Sequence, residues 1–84
     1  MASVKWSADA LQDLERIDKV IARRIVEKIA WFEEHFSDIV PEPLHREFKG
    51  LYKIRVGDYR AVYSVHQNII VIEAVGHRRD VYKS

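Results

Sequence analysis

The residues best suited to chemistry lie in the last third of the sequence, from Leu51 to Lys83. This stretch gathers closely spaced cations and a tyrosine: Lys53, Arg55, Arg60, His77, Arg78, Arg79 and Tyr82. Arginine and lysine bind phosphate through charge-assisted hydrogen bonds and stabilise negative charge in a transition state. Lysine, histidine and tyrosine can also transfer protons. The set therefore indicates a surface that binds an anion and favours phosphodiester chemistry.

The same stretch has the pattern of three β-strands joined by two tight turns. The predicted strands are Leu51–Val56, Tyr59–His66 and Ile69–Gly76. Gly57-Asp58 suits a two-residue type II′ turn, and Gln67-Asn68 is a weaker turn signal. Two-residue turns fix the register of the strands that they join. The predicted pairs are Arg55 with Arg60, Lys53 with Val62, Arg60 with Val75, and Val62 with Glu73.

Side chains alternate between the two faces of a strand, so this register predicts two unlike faces. Helices should cover the apolar face: Tyr52, Ile54, Val56, Tyr59, Ala61, Tyr63, Val65, Ile70, Ile72 and Ala74. The other face should stay open: Lys53, Arg55, Arg60, Val62, Ser64, His66, Val71, Glu73, Val75 and His77.

Arg55 opposite Arg60 is a local conflict, because like charges across a strand pair are destabilising. A phosphate or an acidic partner would relieve the repulsion, and Glu73 would do so in part. The alternative is that these long side chains simply extend into water. Functional sites are usually found where residues lower the stability of the fold without an evident structural benefit.

The elements before these strands predict the covering layer. Val4–Trp6 is a short strand candidate, and Ser7 and Asp18 have the character of helix N-caps. Two apolar stripes at the helical period follow them: Ala10, Leu11, Leu14 and Ile17, then Ile21, Ile25, Ile29, Phe32 and Phe36. Pro41 and Pro43 mark a loop, with a short strand or turn after them. We expect one domain over residues 1–84 with an α+β fold: an N-terminal strand and a two-helix hairpin packed on one face of a small antiparallel sheet.

Charge and composition further narrow the class of protein to which this sequence can belong. The net charge is only +1, but it is uneven, with −3 over residues 1–42 and +4 over residues 43–84. The weak total argues against strong indiscriminate nucleic-acid binding. The sequence has no cysteine, no signal-peptide pattern and no apolar run long enough to span a bilayer, which favours a cytoplasmic protein without membrane contact. The four histidines are scattered, so no metal site is expected and no cofactor is implied.

Two segments, YKIRVGDYRAVYSV and VIEAVGHRRDVYK, resemble the RelE branch of the RelE/ParE superfamily, the toxins of type II toxin–antitoxin systems. The resemblance extends over essentially the whole chain and implies a RelE-like β-α-α-β-β-β fold. It implies a ribosome-dependent mRNA endoribonuclease that inhibits translation, in which the 2′-hydroxyl of the RNA attacks the phosphodiester without a metal.

The resemblance also implies roles for individual residues. Lys53 and Arg55 match two basic positions that activate the 2′-hydroxyl and hold the phosphate, and Lys53 is the better base because arginine stays protonated. Arg60 matches the arginine that stabilises the transition state, Arg78 the one near the leaving 5′-oxygen, and Tyr82 the tyrosine that orients or stacks on the substrate. His77 is an additional acid or base, and Lys49 and Arg79 are further RNA-binding candidates. For His77 the alternative of an ordinary surface histidine stays open, and for Tyr82 that of an aromatic side chain that packs the C-terminus on the sheet.

The expected partners are a cognate antitoxin, the ribosome and mRNA, and the toxin–antitoxin complex can form higher oligomers. Two alternatives stay open at this stage. One is a ParE-like inhibitor of DNA gyrase, which shares the fold. The other is a catalytically inactive member that retains antitoxin binding.

Overall fold

Two helices and a five-stranded sheet form the protein in a computed structural model that describes residues 2–45 and 47–79. In chain order the elements are β1 (Ser3–Trp6), α1 (Ala8–Glu15), α2 (Lys19–His35), a 3-10 turn (Phe36–Asp38), β2 (Glu42–Pro43), β3 (Tyr52–Val56), β4 (Tyr59–His66) and β5 (Ile69–His77). The α+β prediction is confirmed. No helix within the described ranges is long and apolar enough to cross a membrane.

Both helices begin at the predicted caps. The Ser7 hydroxyl accepts a hydrogen bond from the Ala10 amide at 3.0 Å, and the Asp18 carboxylate accepts one from the Val20 amide at 3.1 Å. These bonds satisfy amides that have no partner within the first helical turn. The buried face of α2 consists of Ile25, Ile29 and Phe32, from the predicted stripe.

The sheet has the strand order β1-β5-β4-β3-β2. The strands β2 to β5 pair in antiparallel fashion as expected. Because β1 pairs with β5 in parallel, the sheet is mixed, and the expectation that the N-terminal strand packs on a face of the sheet was wrong. The predicted loop at Pro41–Pro43 was also partly wrong, because Glu42 pairs with Lys53 and Pro43 with Tyr52. A proline is tolerated there because β2 is an edge strand. No further strand lies on its outer side, so no backbone N–H is needed there for pairing.

The two hairpin turns have the backbone conformations that two-residue loops require. Gly57 has φ +61°, and Asp58 after it does not have a positive φ, as expected for a type II′ turn. Gln67 and Asn68 have φ values of 48° and 68°, so both residues of the second turn are left-handed, as in type I′.

The main core lies between the helices and one face of the sheet. It comprises Ala10, Ile25, Ile29, Phe32, Ile54, Ala61, Tyr63, Ile70, Ile72 and Val75. The opposite face is not fully open, because Val62 and Ser64 are only 4% and 6% exposed. Leu44, which continues the alternation from Glu42 on that face, is buried outside the main core as well. The basic side chains therefore lie on a partly covered surface.

A β-bulge divides the second hairpin. The predicted register holds from Tyr63↔Ile72 to His66↔Ile69, and then one extra residue, Glu73, enters β5. Beyond it Val62 pairs with Ala74 and Arg60 with Gly76, so the predicted pairs Val62–Glu73 and Arg60–Val75 were wrong. The bulge exchanges the faces of the following residues: Val75 joins the core where Ala74 was expected.

Candidate functional site

Three of the predicted cations share one face of β3 and β4. Arg55 lies directly opposite Arg60, and Lys53 lies opposite Val62, so the register predicted for the first hairpin is confirmed. Arg55 is exposed, whereas Lys53 and Arg60 are half-buried. The Nε atom of Arg60 is fully buried, which fixes the base of its guanidinium group against the sheet. We call Lys53, Arg55 and Arg60 the cationic face.

Glu42 joins this face from the edge strand. Its carboxylate Oε2 lies 3.5 Å from the Lys53 ammonium Nζ, and the two residues are direct neighbours across β2 and β3. The Lys53 side chain is 15% exposed and that of Glu42 is 57% exposed. The more exposed Glu42 carboxylate therefore contacts the Lys53 ammonium group from the solvent side. Sequence reasoning missed Glu42, because the two prolines beside it indicated a loop and no pattern indicated β2.

Glu73 is the second carboxylate on this side of the sheet. Its Oε2 accepts a hydrogen bond from the buried Ser64 hydroxyl at 2.7 Å. The Ser7 hydroxyl donates to the Glu73 carbonyl at 3.1 Å, and the Asp13 carboxylate accepts from the Val75 amide at 2.9 Å. Side chains from the start of the chain thus satisfy backbone groups of β5 around the bulge and hold it in place.

His77 does not join the cationic face. The bulge turns it to the helix-covered side, where it pairs with Tyr59. The two rings are 5.5 Å apart between centroids and nearly perpendicular, at 72°. The prediction that His77 lies on the open face with Lys53, Arg55 and Arg60 was therefore wrong, because one inserted residue reverses the alternation of side chains.

Arg78 and Arg79 follow the end of β5 and are both exposed. The Arg78 amide donates to the carbonyl of Asp58 at 2.8 Å, which fixes Arg78 beside the β3–β4 turn. Only one cross-strand residue pair separates the Arg55–Arg60 pair from that same turn. Arg78 and the cationic face therefore lie at the same end of the sheet. The Arg79 amide lies 3.2 Å from His77 Nδ1.

The remaining candidates are Lys49 and Tyr82. Lys49 is exposed in the turn between β2 and β3. Tyr82 lies outside the described residues.

Tyr63 is the most deeply buried polar side chain near the cationic face. It is fully buried, and its hydroxyl has no hydrogen-bond partner among the described residues. Burial raises the pKa of Tyr63 to about 12, with smaller contributions from Tyr52 and from the negative charge of Glu42. The hydroxyl therefore keeps its proton at any physiological pH. The sequence indicated a core position for Tyr63 and gave no sign of its unsatisfied hydroxyl.

Comparisons with known proteins agree with this architecture. The model of a family described as the ParE toxin of the type II toxin–antitoxin system parDE matches residues 4–82. The chain is 30% identical to the toxin RelG of Mycobacterium tuberculosis over 89 aligned positions, which cover 96% of this chain and 95% of that protein.

Two solved structures show the same fold. The RelBE2 toxin–antitoxin complex of Mycobacterium tuberculosis aligns with a TM-score of 0.78 and 29% identity, over 92% of this chain and 98% of the other. A chain of the chromosomal ParDE system of Pseudomonas aeruginosa aligns with a TM-score of 0.75 and 20% identity, over 92% and 96%. The second likeness concerns the fold alone.

Proposed function

Because this chain belongs to the ParE toxin family of type II toxin–antitoxin systems, within the RelE/ParE superfamily, we propose that it is a toxin that cuts mRNA on the ribosome. The single observation that carries the choice of activity is the cationic face: Lys53, Arg55 and Arg60 converge on one surface of β3 and β4. Lysine and arginine side chains that share one surface suit the binding of a phosphate through charge-assisted hydrogen bonds.

The proposed reaction is an attack by the RNA's own 2′-oxygen on the adjacent phosphorus. The O–P bond forms as the bond to the 5′-oxygen breaks, so a 2′,3′-cyclic phosphate and a free 5′-hydroxyl result. One proton leaves the 2′-hydroxyl and one reaches the 5′-oxygen. Arg55 and Arg60 would hold the phosphate oxygens and stabilise their added charge, since guanidinium groups form paired hydrogen bonds with phosphate.

The other roles are those that the resemblance to the RelE branch implies. Lys53, held by Glu42, would lie beside the 2′-hydroxyl, and Arg78, at the turn end of the sheet, would lie near the leaving oxygen. Tyr82 would orient or stack on the substrate, and Lys49 and Arg79 would contact the RNA backbone. His77 is not part of this mechanism, since it lies on the other face of the sheet.

The proposed partners are a cognate antitoxin, the ribosome and mRNA, in the cytoplasm. The antitoxin is supported by the RelBE2 structure, which is a toxin–antitoxin complex. Dependence on the ribosome accords with a net charge of only +1, which gives weak attraction to free RNA.

A second function is favoured by two observations: the matching family is named for ParE toxins, and the fold is also that of a ParDE system. Under this proposal the protein inhibits DNA gyrase through protein contacts, and the cationic face binds no scissile phosphate. A third possibility, an inactive antitoxin-binding member, predicts no growth arrest on expression.

Primer extension on mRNA incubated with purified ribosomes and this protein tests the first proposal. We expect discrete breaks with ribosomes, few breaks in naked RNA, and loss of the breaks in an Arg55→Gln, Arg60→Gln double variant. Unchanged breaks in that variant would contradict the site. A supercoiling assay with purified gyrase separates the alternative: inhibition of gyrase without mRNA breaks would favour the ParE-like function.

A further inference from the structure

A cavity of about 280 Å³ opens between α2 and the exposed edge of β3, next to the cationic face. It adjoins that face directly, because Lys53 and Arg55 form part of its lining. β2 pairs only with Tyr52 and Lys53, so it does not close the edge from Ile54 onward. The cavity is slightly smaller than the pockets of about 300 Å³ or more that take drug-sized ligands, so its size suits a single ring system.

The cavity has an apolar inner part within a lining that mixes polar and apolar side chains. Phe32 and Ile54, both buried core residues, form its inner part with Ile39. Trp31 forms an outer wall and cannot easily turn, because its ring lies between Lys28, 4.5 Å from the ring centroid, and the stacked ring of His35 at 4.3 Å. The cavity is open to solvent on its outer side and presents this apolar inner part to an entering ring.

Two polar groups in the lining could specify what enters. The Tyr63 hydroxyl is buried and has no hydrogen-bond partner among the residues of the described ranges, which is costly unless a ligand supplies one. Since Tyr63 keeps its proton, it can both donate and accept. Glu42, also in the lining, adds a carboxylate acceptor. Glu42 is already paired with Lys53, so the Tyr63 hydroxyl is the group that needs a partner. An apolar side chain from a partner protein would leave that hydroxyl unsatisfied, whereas the edge of a nucleobase would supply a hydrogen bond.

We propose that this cavity is a nucleobase subsite for the RNA, which binds the base of a nucleotide whose phosphate is held at its mouth by Lys53 and Arg55. The inference deepens the proposed nuclease function and rests on it for its biological role. It assigns Tyr63 and Glu42 to base recognition, and so to the sequence preference of cleavage.

Nucleotide binding to the full-length protein tests the subsite without any cleavage reaction. In a Trp6→Phe variant, Trp31 is the single tryptophan and its fluorescence reports on the cavity wall. The probes are the four nucleoside 3′-monophosphates, with ribose 5-phosphate and inorganic phosphate for comparison. We expect at least one nucleotide to bind about tenfold more tightly than ribose 5-phosphate, through stacking and hydrogen bonds of the base.

The matched variants are Tyr63→Phe and Tyr52→Phe, since Tyr52 lies next to Tyr63 but does not line the cavity. Removing the Tyr63 hydroxyl should weaken the preferred nucleotide about 3- to 10-fold and leave inorganic phosphate unchanged, whereas Tyr52→Phe should change neither. Equal binding of nucleotides and ribose 5-phosphate, the same affinity in Tyr63→Phe, or no response to any nucleotide would overturn the subsite. The last result is the one expected for a cavity that takes a side chain of a partner protein.

Cleavage mapping on ribosomes distinguishes this inference from the proposed function. Tyr63→Phe should change which bases flank the cut. If nucleotides bind as expected but no mRNA is cut, only the nuclease proposal fails. If mRNA is cut and Tyr63→Phe leaves both the binding and the cleavage pattern unchanged, only the subsite fails.

Discussion

Arg55 and Arg60 lie directly opposite each other on β3 and β4, one pair of residues before the turn at Gly57-Asp58. Facing like charges oppose folding by some tenths of a kcal/mol. The same geometry would suit two guanidinium groups that hold one phosphate between them. The Arg55–Arg60 pair therefore lowers the stability of the fold slightly, and under the proposed function it binds the phosphate that is cut.

Arg55→Gln should separate these two effects. We expect the free energy of unfolding to rise by about 0.5 kcal/mol as the repulsion is removed, while mRNA cleavage on ribosomes falls about 100-fold. Urea unfolding and quantitative primer extension measure the two quantities. Arg23→Gln, at an exposed position on α2, is the matched control and should change neither by much. A variant that is both less stable and fully active would contradict the argument.

The ion pair of Glu42 and Lys53 should contribute little to stability although it is well defined. Glu42 is more than half exposed, and exposed pairs are screened by solvent. A double-mutant cycle with Glu42→Gln and Lys53→Met should give a coupling of about 0.2–1 kcal/mol that decreases in 1 M salt, where screening lengths fall to about 3 Å. A coupling above about 2 kcal/mol that does not respond to salt would indicate a buried, structural pair instead.

Ser7→Ala should destabilise the fold more than a single surface substitution. The Ser7 hydroxyl caps α1 and also donates to the Glu73 carbonyl beside the bulge. Loss of both contacts should lower the free energy of unfolding by about 1–2 kcal/mol. Ser37→Ala, at an exposed residue of the 3-10 turn, should change it by less than about 0.5 kcal/mol. Equal effects of the two variants would show that the bulge does not depend on Ser7.

The bulge also marks the limit of prediction from this sequence. The first hairpin was predictable in register because Gly57 supplies the positive φ of a two-residue turn, and with it the positions of Lys53, Arg55 and Arg60. Glu73 carries no such local signal. The groups that hold the bulge, Ser7 and Asp13, are 66 and 62 residues away from their partners in β5.

The same limit explains the errors at His77 and Glu42. His77 changes face only because an inserted residue precedes it, and that insertion depends on contacts from α1. Glu42 reaches Lys53 only because a two-residue strand with a proline forms at the sheet edge. Local patterns therefore predicted the elements and the first hairpin, whereas long-range contacts determined which face the later residues occupy.

The second turn should be open to stabilisation. Gln67 has φ 48°, a left-handed conformation that costs roughly 1–2 kcal/mol for an ordinary side chain and less for asparagine or glycine. Replacing Gln67-Asn68 with Asn-Gly, the preferred type I′ pair, should raise the free energy of unfolding by about 1 kcal/mol. Urea unfolding checks this. Since the turn lies at the end of the sheet away from Arg55 and Arg60, mRNA cleavage should be unchanged, and a loss of cleavage would contradict that separation.

Tyr63 should make the fold sensitive to alkaline pH. Its pKa is raised from 10.0 to about 12 in the folded protein, chiefly by burial, so the folded state favours the protonated phenol. A raised pKa contributes stability that is complete below pH 10 and is lost as the pH rises toward 12, because the unfolded chain releases the proton first. The loss should be about 3 kcal/mol at most, because a shift of about two pKa units corresponds to roughly 1.36 kcal/mol per unit. Urea unfolding at pH 8, 10 and 11.5 should show a decline that Tyr63→Phe removes and Tyr52→Phe retains; the same decline in both variants would assign the effect to other groups.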